Sequence, residues 1–125
     1  MTGTQGRQGR QLVSWRRVDL PLTLRISDQP THWIREAGAL SSALGALARD
    51  AEYAILERDA ETFVQACREG PDAYRLEIHE RAGAHYECAQ RVTYRDVERC
   101  FVRFLEGRDV RGDAESALRW RPLVC

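Results

Sequence analysis

From Val18 the chain alternates strictly: Val18, Leu20, Leu22, Leu24 and Ile26 fall at period two, with Asp19, Thr23 and Arg25 between them. Successive side chains of a strand point to opposite faces, so this pattern predicts a half-buried strand. Pro21 sits on its polar phase and has no N–H for a ladder, which places the strand at an edge or at the start of the sheet. After the turn cluster Ser27-Asp28-Gln29-Pro30-Thr31 the period lengthens. Trp33, Ala37, Leu40, Leu44 and Leu47, with Ile34 and Ala48 widening the stripe, recur at spacings of four and three and predict an amphipathic helix. Gly38, Ser41, Ser42 and Gly45 weaken that helix, each glycine by about 1 kcal/mol, and point to a break near Ser41.

Short strands follow, separated by turn residues. Tyr53–Arg58 ends at Asp59-Ala60-Glu61, Thr62–Arg68 at Glu69-Gly70-Pro71-Asp72, and Ala73–Glu80 at Arg81-Ala82-Gly83-Ala84, before His85–Arg91. Connections this short join antiparallel neighbours and predict a meander. A loop of Ala82, Gly83 and Ala84 would set Tyr74 against Val92, Ile78 against Cys88 and Glu80 against Tyr86. Arg75, Glu77, His79 and Arg81 would then face Arg91, Ala89, Glu87 and His85 on the other side. A two-residue loop would mix apolar and charged positions on both faces, so the odd-numbered loop is preferred.

A second helix begins at Thr93, a capping residue with Asp96 in the capping-box position and Val92 placed to staple onto Val97. Val97, Cys100, Phe101, Phe104 and Leu105 form its apolar stripe, and Gly107 stops it. Gly112-Asp113 suits a short turn running to Leu118, with Trp120 and Leu123 returning to the core. The expected fold is α+β and two-layered: an antiparallel sheet of about five strands with two main helices packed on one face. Residues 1–11, made largely of glycine, glutamine and arginine, read as a disordered arm, and 12–125 as a single domain.

Composition narrows the chemistry. All nineteen basic residues are arginines, and the sequence contains neither lysine nor asparagine. That removes a P-loop ammonium, a Schiff-base lysine and an N-glycosylation acceptor. Net charge is zero, with five arginines and one acid in residues 1–25, which gives no general attraction to nucleic acid or an anionic membrane. No apolar run approaches the roughly twenty residues of a membrane span, and the start lacks the apolar segment of a secretory signal, so the expected location is cytoplasmic. Cys67, Cys88, Cys100 and Cys125 form no C-x-x-C pair and read as free thiols.

No candidate constellation reaches a catalytic or metal-binding set. His79 and His85 share a strand face in the expected register while Cys88 points to the core, so zinc finds no tetrahedral site, and a His79–Glu87 pair is the plainer expectation. His32, in the first turn of the expected first helix, would be favoured neutral by the helix dipole, yet no serine in a nucleophile elbow accompanies it. The acids Glu57, Asp59 and Glu61 are interspersed with arginine and read as surface ion pairs. Arg7, Arg10 and Trp15-Arg16-Arg17 form a thin basic footprint for nucleic acid. Catalytic residues, cofactor and metal are therefore all read as none. The remaining candidate is a partner-binding sheet face carrying Arg75, Glu77, His79, Glu87 and Arg91.

The run Glu57-Arg58-Asp59-Ala60-Glu61-Thr62-Phe63-Val64-Gln65-Ala66, then Tyr74-Arg75-Leu76-Glu77, then Val97, Phe101 and Phe104-Leu105-Glu106-Gly107 before Trp120, resembles small bacterial proteins of unassigned function. In size and layout the chain is also similar to the immunity proteins that bacteria keep beside secreted toxins. With an organised fold but no cofactor motif and no catalytic constellation, the leading expectation is a non-enzymatic protein-binding domain with another protein as partner, and the likeness to immunity proteins makes an immunity-type inhibitor its most concrete form. A homodimer is left open. The competing expectations are a small hydrolase-like enzyme using His32 or His79 with a carboxylate, and a nucleic-acid contact through the basic arm.

Overall fold

The computed structural model of the chain describes residues 20–123. In chain order the elements are β1 (Leu22–Ile26), β2 (His32–Ile34), α1 (Ala37–Arg49), β3 (Tyr53–Asp59), β4 (Thr62–Gly70), β5 (Ala73–Glu80), β6 (Ala84–Cys88), α2 (Tyr94–Leu105) and β7 (Trp120–Pro122). The strands form one seven-stranded sheet in the order β2-β1-β3-β4-β5-β6-β7, with every pairing antiparallel. The α+β class with an antiparallel sheet holds, with seven strands where about five were expected. The expected arm, the residues before Leu20 and Cys125 lie outside the described residues.

One additional strand comes from the stretch read as the start of a helix. Leu22 pairs with Ile34, Thr23 with Trp33 and Leu24 with His32, so β2 is the edge and β1 lies inside it. Three residues are too few to display a period: Ile34 is buried whether the chain coils or extends, and only Trp33, 69% exposed, shows which occurred. His32 is therefore in a strand and not in a first helical turn, so the dipole argument for its neutral form falls. Ser27, at φ 43°, makes the corner after β1: its Oγ accepts from the Glu52 amide at 2.8 Å and its carbonyl from the Tyr53 hydroxyl at 3.0 Å. Downstream, α1 runs unbroken through Ser41 and buries Leu40, Leu44, Ala46 and Leu47.

The second helix follows its sequence signals. The Thr93 side chain accepts from the Asp96 amide at 3.2 Å while the Asp96 carboxylate accepts from the Thr93 amide at 3.0 Å, closing the capping box. Gly107, at φ 74°, takes the left-handed position after the last turn, and the Gly107 and Arg108 amides satisfy the carbonyls of Phe104 and Arg103. The Val97, Cys100, Phe101, Phe104 and Leu105 stripe is buried as expected. It joins the stripe of α1 and the inward positions of the strands in a single apolar cluster. Each Leu or Phe so buried contributes about 1.5–3 kcal/mol. Opposed small residues, Ala54 on β3 and Ala66 on β4, leave room for helix side chains above the sheet.

The β5–β6 hairpin keeps the expected faces with a shifted register. Glu77 pairs with Glu87, Ile78 with Tyr86, His79 with His85 and Glu80 with Ala84, so the loop is Arg81-Ala82-Gly83. Ala82 itself adopts φ 70° before Gly83 at φ 79°, a conformation ordinarily reserved for glycine or asparagine. The shift is two residues, which preserves the parity of every side chain. Tyr74 nevertheless bridges Val92 as expected, because the irregular stretch after Cys88 takes up the difference. The tail after Gly112 forms turns, as expected: Asp113 Oδ1 accepts from the Glu115 amide at 3.1 Å, and Trp120 then enters β7.

Candidate functional site

Both helices cover one side of the sheet, so the alternate residues of each strand form a second face over which no described helix lies. Antiparallel pairing aligns these residues in rows. Trp33, Thr23, Glu57, Phe63, His79 and His85 stand side by side from β2 to β6. Arg25, Ile55, Gln65, Glu77, Glu87 and Arg121 form the next row, followed by Tyr53, Cys67 and Arg75. Trp33 is the exposed aromatic of this face, while Ile55 and Phe63 are half-buried.

Glu77 organises the centre. Its Oε1 accepts from Gln65 Nε2 at 3.1 Å and lies 3.0 Å from His79 Nε2, while its Oε2 is 3.6 Å from Arg75 Nε. The His79 ring stacks on Phe63 with centroids 4.3 Å apart and planes inclined by 14°. On its far side, His79 Nδ1 meets His85 Nδ1 at 3.0 Å. The expected His79–Glu87 pair is not formed, because the shifted register sets His79 opposite His85. Glu87 is instead bound by Arg121 Nε at 2.9 Å. Among the described residues no third histidine, cysteine or carboxylate joins the two imidazoles in a metal-binding group.

Of the residues expected on a partner face, Arg75, Glu77, His79 and Glu87 occupy it together. Arg91 lies beyond the end of β6 and joins through Glu69, which also meets Arg75 at 3.5 Å. The neighbouring Cys67 thiol, followed by the carboxylates of Glu69 and Glu77, holds the Arg75 guanidinium above its ordinary pKa against the opposing effect of burial. His32 does not belong to this set: it has the parity of Leu22 and Leu24, on the helix side, and its Nε2 is buried with no hydrogen-bond partner. Sequence reasoning missed Trp33, Ile55 and Phe63. Their signal was the odd-numbered phase of the strands, which in Phe63 and Ile55 puts apolar residues where a wholly solvated face would carry polar ones.

A cavity of about 660 Å³ lies on the outside of α2 between Arg95, Arg99, Arg103, Arg108 and Glu115. Its arginines are largely engaged. Arg99 binds Asp113, donating from Nη2 at 2.9 Å, and Arg103 donates to the Asp109 carbonyl from Nη2 at 2.8 Å. These contacts fasten the segment after α2 to the helix. A smaller cleft of about 440 Å³ opens beside the imidazoles, lined by Ala60, Glu61, Phe63, Glu80, Ala82 and Gly83 together with His79 and His85.

Comparisons with protein-family models, curated proteins and solved structures return no match. No described helix is long and apolar enough to cross a membrane. The acidic stretch Glu57, Asp59 and Glu61 falls at the β3–β4 turn, where Asp59 pairs with Arg81.

Proposed function

We propose that this chain is a non-enzymatic protein-binding domain that receives its partner on the open sheet face, with an immunity-type inhibitor as the most concrete form of that role. The observation that carries the reading is the composition of the face. An exposed Trp33 and the half-buried Ile55 and Phe63 are set among Arg25, Arg75, Arg121 and their carboxylate partners. Protein interfaces favour aromatic and arginine anchors surrounded by a polar rim, and tryptophan, tyrosine and arginine are enriched among energetic hot spots. The test is capture of a partner from the host by wild-type chain and by Trp33→Ala. Loss of a specifically retained protein by the variant, with an unchanged thermal midpoint, supports the reading; undiminished retention removes this face.

The hydrogen-bonded Glu77 and His79 favour a second reading, a small hydrolase-like enzyme in which the carboxylate orients an imidazole base. Unchanged turnover of any substrate found for the chain, after His79→Gln, disposes of it. The His32 version of that reading has no support in the geometry. The nucleic-acid alternative rests on arginines outside the described residues.

A further inference from the structure

The strand order gives the open face a centre and two wings. In the described sheet β2-β1-β3-β4-β5-β6-β7 the middle strand is β4. Its open-face side chains, the Phe63 ring, the Gln65 carboxamide and the Cys67 thiol, are each half-buried. Charge lies on the wings and is balanced within the three middle rows: Arg25, Arg75 and Arg121 against Glu57, Glu77 and Glu87. A face of one sign repels a copy of itself, and this one does not.

A twofold axis along β4 would set each strand of one copy over the strand equally far beyond β4 in the other. In the row of Gln65, Arg25 on β1 then meets Glu87 on β6. Arg25 is half exposed and its nearest carboxylate, Glu57, is 3.9 Å away. Glu87 is held by Arg121 at Oε2, and a carboxylate accepts several hydrogen bonds, so a second donor fits. In the next row Tyr53 on β3 meets Arg75 on β5, a ring against a guanidinium. In the row of Phe63 the outermost strands bring Trp33 over Leu123, whose amide donates to the His85 carbonyl at 2.8 Å. Ile55 faces Glu77, already engaged by Gln65, His79 and Arg75 of its own copy. On the axis Phe63, Gln65 and Cys67 meet themselves, and a carboxamide, both donor and acceptor, can pair with itself.

We infer that a second copy of this chain occupies the open face, the two sheets packing against each other about a twofold axis along β4. The inference rests on the open face being a protein-binding surface, and names the bound protein as an identical chain. Seven strands about 4.8 Å apart, with central strands of seven to nine residues, make a face of roughly 30 by 25 Å. That is roughly 700 Å², close to the approximately 800 Å² that each partner contributes to a stable interface. Aligned sheets pack about 10 Å apart and cross at about 30°, so contact is closest along β4 and the outer pairs are reached by long side chains such as Arg25 and Trp33.

Sedimentation equilibrium of the full-length chain in reducing buffer, at concentrations up to about 200 µM, should show twice the 14.3 kDa of one chain, falling to one chain on dilution. Where the dimer is populated, a short bismaleimide should join Cys67 of one copy to Cys67 of the other, as read by peptide mapping. Arg25→Glu and Glu87→Arg should each weaken the dimer about fivefold, because the twofold removes two rim ion pairs at once, and the two reversals in one chain should restore it. Thermal midpoints of the three variants separate lost pairing from lost folding. The inference is overturned by a monomer at every concentration, by cross-links that avoid Cys67, or by a double reversal no tighter than the singles. A monomer that still captures a different protein through Trp33 keeps the face and removes the second copy. A monomer whose Phe63 ring signals shift on Trp15→Ala gives the face to the N-terminal residues instead.

Discussion

Arg58 on β3 donates from Nη2 to the carbonyl of Phe104, at 2.6 Å, and lays its guanidinium over the same residue's ring, 5.0 Å from the centroid. One side chain thus caps the end of α2 and covers its last aromatic. A hydrogen bond from a charged donor contributes about 1.5–3 kcal/mol, and a partly exposed cation–π contact about 0.5–1 kcal/mol. Arg58→Ala should therefore lower stability by about 2 kcal/mol in urea unfolding, and Arg58→Lys by less. Equal midpoints for the alanine variant and wild type would show that the contact is not kept in solution.

At the other end of α2, Thr93→Ala removes the side chain that accepts from the Asp96 amide. A loss of about 1 kcal/mol is expected, and Thr93→Ser should restore most of it. The measurement is the same urea midpoint. A larger effect of the serine than of the alanine would contradict a capping role.

Stability should respond to acid through Asp113. Hydrogen bonding from Arg99, seconded by the Glu115 amide and the charge of Arg103, holds its carboxyl well below the usual carboxylate range against the opposing effect of burial. A carboxyl depressed below its unfolded value of about 3.9 adds stability that is fully present above that value and lost as the pH falls through the folded one. The gap between wild type and Asp113→Asn should be constant from pH 5 to 8 and narrow below about pH 4. A gap that widened on acidification would reverse the sign and refute the assignment.

The thiols should divide by location. Burial, as the largest cause, pushes Cys88 and Cys100 up to about 12, leaving them as unreactive thiols at neutral pH. Cys67 is only partly buried, on the open face. Alkylation of the native chain at pH 7.5, followed by peptide mapping, should modify Cys67 and spare Cys88 and Cys100 until denaturant is added. Early modification of Cys100 would mean that α2 opens readily.

How much of this was legible in the sequence depended on the range of the interaction. The cap of α2 is written in residues three apart, Thr93 and Asp96, and its stripe in Val97 through Leu105, so a local reading found both. The strands from Tyr53 to Cys88 were found because turn residues bracket alternating runs. The hairpin register was missed by two because an alanine, Ala82, takes a conformation that a sequence reader assigns to glycine. Parity survived, and with it the placement of Arg75, Glu77, His79 and Glu87 on one face. The meeting of His79 and His85 depended on the register and on side-chain rotamers that no spacing encodes, and β2 on pairing with a strand that precedes it.

Among the described residues both margins of the sheet are only three residues long: His32–Ile34 at one side and Trp120–Pro122 at the other. Pro122 has no amide hydrogen, and Arg121 puts a charge on the same short strand. A stranger strand arriving at either border finds few hydrogen-bonding positions to template on, so growth by lateral zippering into fibrils is blunted from both sides.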